Sequence, residues 1–105
     1  MTIEEIRKLC NAQPFIMSQH AEMRRRQRGI SVQEIKRAIS NGVIIEDYPD
    51  AFPHPACLIL SSMVEQKPLH VVCGICDGRL WIITVYYPNP EEWETDYKTR
   101  KGAKQ

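Results

Sequence analysis

His20, Arg24 and Arg28 recur at intervals of four residues, and their side chains are suited to handling an anion. A guanidinium offers a planar fork of donors matched to phosphate or carboxylate oxygens. An imidazole titrates near neutrality and can act as acid or base. On a helix of about 100° per residue, Met17, Ala21, Arg24 and Arg28 share an arc of about 60°, with His20 about 40° further round. Two apolar side chains therefore share a face with two arginines and a histidine. Cations on a face turned toward a core need acceptors. Two readings follow: the arginines snorkel or pair with Glu46 and Asp47, or they line a groove that receives an anion. Arg25 and Arg26 fall elsewhere on the wheel and read as a solvated basic surface.

The strand-like run Leu69-His70-Val71-Val72 holds a second histidine and no other ionisable group. A lone strand histidine is usually structural, and Thr84, the polar residue of Ile82-Ile83-Thr84-Val85-Tyr86-Tyr87, is a good strand former in its own right. Whether His70, Thr84 and Tyr86 meet depends on hairpin register. A two-residue Asp77-Gly78 turn pairs positions summing to 155, which sets His70 opposite Val85. An odd loop with a glycine bulge changes the parity and gathers all three on one face. Cys73-Gly74-Ile75-Cys76 has the spacing of a zinc knuckle. It lacks a second such pair, and residues three apart on a strand face opposite ways. No metal and no cofactor is expected. With Cys10 and Cys57, these cysteines read as reduced thiols.

The elements that must position these side chains are legible in the pattern. Thr2 with Glu5, and Ser31 with Glu34, have capping-box spacing, and Ser18 can cap a helix that runs to Arg28 and stops at Gly29. Asn41-Gly42 closes the third helix. From residue 43 the period changes to that of strands, predicted at 43–48, 56–63, 69–76 and 80–87 with turns at 49–55, 65–68 and 77–78. Short connections imply an antiparallel meander. The expected fold is α+β, with N-terminal helices packed on a four-stranded antiparallel sheet. After Pro88-Asn89-Pro90, Trp93 and Tyr97 stand one helical turn apart, and residues 98–105 read as a basic, frayed tail.

The chain has 105 residues, 14 basic and 13 acidic, the size of one ordinary domain. No apolar run reaches the ~18 residues of a membrane span, and Met-Thr-Ile-Glu-Glu lacks the charge and apolar core of a secretion signal. A cytoplasmic location with no membrane partner is expected. The net charge of +1 conceals a division. Residues 1–42 hold eight basic and four acidic groups, +4, while residues 43–105 hold six and nine, −3. Such a balance argues against wrapping a long polyanion and leaves room for a local cationic groove.

Taken together, Ser18-Gln19-His20-Ala21, Arg24, Arg28-Gly29-Ile30-Ser31, the run from Ile39 through Asn41-Gly42 to Tyr48-Pro49, Lys67-Pro68-Leu69-His70-Val71-Val72 and Ile82-Ile83-Thr84-Val85-Tyr86-Tyr87-Pro88 closely resemble the DUF4258 family, over about residues 16–97. Tyr87 departs from the pattern, where an acidic residue is expected before Pro88. Such proteins look related to RelE-like toxins and the barnase–EndoU–colicin–RelE (BECR) fold. The resemblance implies metal-independent RNA cleavage by the toxin of a prokaryotic toxin–antitoxin pair, held inactive by a cognate antitoxin protein. Mapped residue by residue, it implies His20, Arg24, Arg28, His70, Thr84 and Tyr86 as the site positions. The chemistry of these residue types suits His20 and His70 as the acid–base pair, in either order, and Arg24 as transition-state stabiliser. Arg28 would hold a neighbouring phosphate, Tyr86 would orient or stack a base, and Thr84 would contact substrate. The alternative is a non-enzymatic RNA- or protein-binding module of the same fold.

Overall fold

Thr2 and Ser31 each accept a backbone N–H three residues on, while Glu5 and Glu34 reach back to the cap N–H, so both capping boxes are closed. They start α1 (Ile3–Ala12) and α3 (Val32–Asn41). Ser18 starts α2 (Gln19–Arg28), which ends on Gly29 in the left-handed region at φ 68°, a conformation that favours glycine. The computed structural model describes residues 1–62 and 67–102.

Five strands follow from the same chain: β1 (Ile16–Met17), β2 (Val43–Tyr48), β3 (Ala56–Leu60), β4 (His70–Cys76) and β5 (Arg79–Tyr86). The sheet order is β1-β5-β4-β3-β2. The meander β2 to β5 is antiparallel, as expected. The expectation of four antiparallel strands is corrected by β1, which pairs in parallel with β5 through Ile16–Trp81 and Met17–Ile82. Two residues are too few to display alternation, so β1 leaves no periodic signal. Strand β3 ends at Leu60, with Ser61 N–H donating to the Leu69 carbonyl. Ser61 and Ser62 do not continue the strand expected over 56–63, and Met63, with residues 65–66 of the turn expected over 65–68, lies outside the described residues.

One face of the sheet is packed by the helices. Cys57, Ile59, Val71, Cys73, Ile82 and Val85 project from it onto Ile6, Ala21, Ile35 and Ile39, each large aliphatic contributing about 1.5–3 kcal/mol by burial. Arg7 on α1 ties α3 to this arrangement by donating to the carbonyls of Ile39 (3.0 Å) and Gly42 (2.7 Å) at the helix end. These are carbonyls that the terminated helix leaves without intrahelical partners.

The outer face is covered at one end by the segment after Pro88. Among its described residues no helix forms: Tyr97 adopts φ 56°, and the Asp96 carboxylate accepts the N–H groups of Lys98 and Thr99, an arrangement that competes with helix. Trp93 pairs with Arg100 as an isolated bridge and is 2% exposed. The chain after residue 98 was expected to fray. Through Lys101 it is instead bonded back, Lys101 N–H to the Glu92 carbonyl at 2.9 Å and Arg100 to Glu46; residues 103–105 lie outside the described ones. No helix among the described residues is long and apolar enough to cross a membrane.

Candidate functional site

The β4–β5 hairpin sets the geometry. Its loop is the two-residue Asp77-Gly78 turn, both residues at positive φ (53° and 72°), as a type I′ turn requires. Cys76–Arg79 and Cys73–Ile82 pair as that turn dictates. The register then shifts between Val72 and Cys73, so that Val72 faces Thr84 and His70 faces Tyr86. The parity change comes from a bulge within β5 rather than from an odd loop. A bulge places two residues against one and turns the following side chains over. His70, Thr84 and Tyr86 thereby share the outer face.

His70 and Tyr86 are in contact. The His70 Nδ1 lies 3.2 Å from the Tyr86 hydroxyl and Nε2 lies 2.8 Å from the Tyr97 carbonyl oxygen. A carbonyl can only accept, so Nε2 carries the hydrogen, and a neutral ring accepts the Tyr86 hydroxyl at Nδ1. Trp93 packs edge-on against the imidazole at 4.5 Å between centroids, leaving His70 0% exposed. Burial holds its pKa below the usual histidine value, opposed by the bond to Tyr97 and by the Glu46 carboxylate. Tyr86 is pushed above the usual phenol value, chiefly by burial and further by Glu46 and Glu92. Its hydroxyl is therefore a proton donor at neutral pH.

Tyr86 also opens on solvent. An open cleft of about 420 Å³ is lined by Arg28, Tyr86, Tyr87, Asn89 and Glu92. Arg28 enters it from the last turn of α2, anchored by Nη1 on the Val85 carbonyl at 2.7 Å. Ser18 fixes the other end of the helix: its N–H donates to the Ile82 carbonyl and its hydroxyl to the Ile83 carbonyl. The helix thus lies along the edge of β5 beyond the short β1. Among the four arginines of α2, Arg25 and Arg26 both pair with Glu22 and hold its carboxyl below the usual range. Arg25, expected as solvated surface, is mostly covered. Neither Arg24 nor Arg28 forms an ion pair among the described residues; Arg24 Nη1 lies 3.4 Å from Gln27 Oε1. Glu46, the sequence-level partner for these arginines, is taken by Arg100, at 2.9 and 3.0 Å.

His20 lies exposed on the first turn of α2, on the flank that also carries Arg24 and Arg28. Among the described residues no hydrogen bond links it to His70. Thr84 stands one row from Tyr86 and is half-buried. The structure therefore unites His70 with Tyr86, and Tyr86 with Arg28, while His20 and Arg24 extend along the helix. Sequence reasoning missed Arg100, Asn89 and Glu92, and gave Glu46 and Trp93 other partners, because a covering segment without periodicity announces no position. Tyr48 belongs to the same group: burial and the Glu46 carboxylate push its hydroxyl up to about 12. At Tyr87, where an acidic residue was expected, the hydroxyl donates to Glu34 at 2.8 Å.

The two cysteines of the knuckle-like motif do not converge. Cys73 points into the core, 4.0 Å from the Cys57 sulfur, whereas Cys76 meets His54 Nε2 at 3.1 Å. No group of three or more His, Cys, Asp or Glu positioned to hold a metal occurs among the described residues, and all four thiols are free.

These features define, among the described residues, an α+β domain of three helices and a five-stranded mixed sheet, with a buried histidine supporting a tyrosine in the wall of a cleft that Arg28 also lines. The chain belongs to the DUF4258 family, whose model, described as a domain of unknown function, matches residues 17–87. That span runs from β1 through the whole hairpin and so contains His20, Arg24, Arg28, His70, Thr84 and Tyr86. No curated protein and no solved structure matches the chain.

Proposed function

We propose that the protein binds RNA at the Arg28–Tyr86 cleft and cleaves it without a metal, acting as the toxin of a toxin–antitoxin pair with a cognate antitoxin as protein partner. The observation that carries this reading is Tyr86, whose hydroxyl is held by His70 at 3.2 Å and whose side chain lines a cleft that Arg28 also lines. The resemblance of DUF4258 proteins to RelE-like toxins of the BECR fold, implied by the motif residues, supports it. In this mechanism Arg28 binds a nonbridging phosphate oxygen and the Glu92 carboxylate takes the 2′-hydroxyl proton. The 2′-oxygen attacks phosphorus, the bond from phosphorus to the 5′-oxygen breaks, and Tyr86 protonates that oxygen by turning its hydroxyl hydrogen from His70 Nδ1 to the leaving group. The phenolate then regains a proton from water. The products are a 2′,3′-cyclic phosphate and a 5′-hydroxyl. His70 acts through Tyr86 as a positioning residue that fixes the phenol and accepts from it. His20 and Arg24 extend the cationic path for the strand.

A second reading rests on one specific observation: His70 is fully buried with both ring nitrogens engaged. A cleft without an exposed imidazole suits a binding module that cuts nothing. Incubating a mixed-sequence fluorogenic oligoribonucleotide with the purified protein in excess chelator separates the two. Cleavage leaving cyclic-phosphate ends, lost in Tyr86→Phe, supports the first. Salt-dependent binding without cleavage after prolonged incubation selects the second.

A further inference from the structure

The outer sheet face carries a second concavity that the cleft does not account for. It encloses about 500 Å³ between the loop after Tyr48 and the exposed side of β5, and Tyr48, Phe52, His54, Val72, Trp81 and Ile83 contribute to its wall. The volume is that of a small-ligand site. Four of those six side chains are rings. Phe52 stands at the mouth, 96% exposed, and Trp81 and Ile83 are 36% and 38% exposed, an unusual display of large apolar groups on a chain this size.

The side-chain hydroxyls on the wall, and one nitrogen of His54, are already engaged. The Tyr48 hydroxyl donates to Glu46, the Ser18 hydroxyl donates to the Ile83 carbonyl and accepts from Ala21 N–H, and His54 Nε2 meets Cys76. An occupant is therefore held chiefly by its faces. Trp81 and Tyr86 stand on the same outer face of β5, five residues and roughly 15 Å apart. The cavity and the arginine-lined cleft are thus consecutive stations on one strand.

We infer that this ring-lined cavity receives one nucleobase of the RNA strand whose phosphate lies in the Arg28–Tyr86 cleft, stacked by its π-face on Trp81 and the Phe52 loop; this rests on the RNA reading of the cleft. Every base has a π-face, and stacking on aromatic side chains is sequence-tolerant. With the hydroxyls engaged, the site anchors the strand chiefly by stacking and discriminates little between base edges. Purines, with more ring area, are held more firmly than pyrimidines.

The test uses the full chain and a non-cleavable 2′-O-methyl hexaribonucleotide carrying one 2-aminopurine. The expected result is quenching of the 2-aminopurine on binding. Trp81→Ala relieves the quenching and weakens binding by roughly 5- to 150-fold, the span of one base stack, while Trp81→Phe retains most of both. Phe52→Ala, at a position with almost no burial to lose, weakens binding in the same direction and guards against misfolding as the cause. Binding and quenching left unchanged in Trp81→Ala and Phe52→Ala overturn the inference alone. No binding of the hexamer by the wild-type chain overturns the inference and the RNA reading together. Trp81 emission that responds to N-acetylphenylalaninamide and not to adenosine assigns the cavity to a protein side chain and also overturns the inference. Binding and quenching as expected, with no cleavage of ordinary RNA, uphold the base site and strike only the catalytic reading.

Discussion

His70 and Tyr86 are directly opposed across the β4–β5 ladder, with Nδ1 and hydroxyl 3.2 Å apart. The buried imidazole can neither reach solvent nor shed its bond to the Tyr97 carbonyl without moving the Trp93 segment. Its influence on the cleft passes through the phenol. Tyr86→Phe removes the proton donor and leaves a buried Nδ1 without its partner, which costs about 1–3 kcal/mol of stability. Cleavage should fall by about 100- to 10,000-fold, the usual range for one acid–base group. Denaturant unfolding and single-turnover RNA cleavage measure the two separately; unchanged cleavage in a folded Tyr86→Phe removes Tyr86 from the chemistry.

Arg28 is anchored by Nη1 on the Val85 carbonyl and lines the cleft. Arg28→Lys keeps the charge and loses the fork, so it should recover little of the RNA affinity lost in Arg28→Ala. Titrations at several salt concentrations should also show a slope in log K against log salt smaller by about one phosphate contact in Arg28→Ala. Full rescue by lysine would reduce Arg28 to a point charge.

Acidification should weaken the fold, and the sign follows from three groups that shift the same way. His70 is lowered by burial. Glu46 is lowered chiefly by the hydrogen bond from Arg100. Glu34 is lowered although burial opposes it, because Ser31 and Tyr87 donate to its carboxylate. Each binds its proton more weakly folded than unfolded, so stability is fully present above the unfolded values and declines as pH falls through the folded ones. The imidazole contribution begins to fade below about pH 6.5 and those of the carboxylates below about pH 4.5. Urea midpoints between pH 8 and pH 4 should fall in that order, and His70→Gln should flatten the upper part of the curve. A midpoint that rises on going from pH 7.5 to 5.5 contradicts the assignment of a neutral, buried His70.

Gly42 joins α3 to β2 with no room for a side chain. A Cβ there would lie 2.3 Å from the Ala38 carbonyl oxygen and 2.4 Å from that of Leu60, both backbone atoms that cannot swing aside. Gly42→Ala should cost about 3 kcal/mol or more, and it should also disturb the Arg7 bond to the Gly42 carbonyl. Thermal unfolding checks this; a melting temperature within a degree of wild type would mean that helix and strand separate more easily than their packing implies.

The helices were readable because their signals are local. Cap residues, capping-box glutamates and the glycine after Arg28 act within one turn, and all three helices start where those residues place them. The strands of the meander were readable from apolar runs bounded by turn residues. The parallel β1 was not, since two residues carry no period and the partner strand lies over sixty positions away. The candidate site divides in the same manner. His20, Arg24, Arg28, His70, Thr84 and Tyr86 stand out by type against their surroundings, and two of the three strand residues needed only the right parity to meet.

By itself the sequence determined the element order, the basic flank of α2 and the identity of the unusual polar residues, because each depends on neighbours within a few positions. Tertiary structure alone decided the rest. The bulge in β5 moved His70 from Val85 to Tyr86, and the segment after Pro88 buried that histidine under Trp93 and bound Glu46 to Arg100. A bulge is one residue gained in a ladder, and a covering segment is held by contacts fifty residues apart. Neither leaves a repeating pattern in the chain, because both are set by which surfaces meet once the sheet has formed.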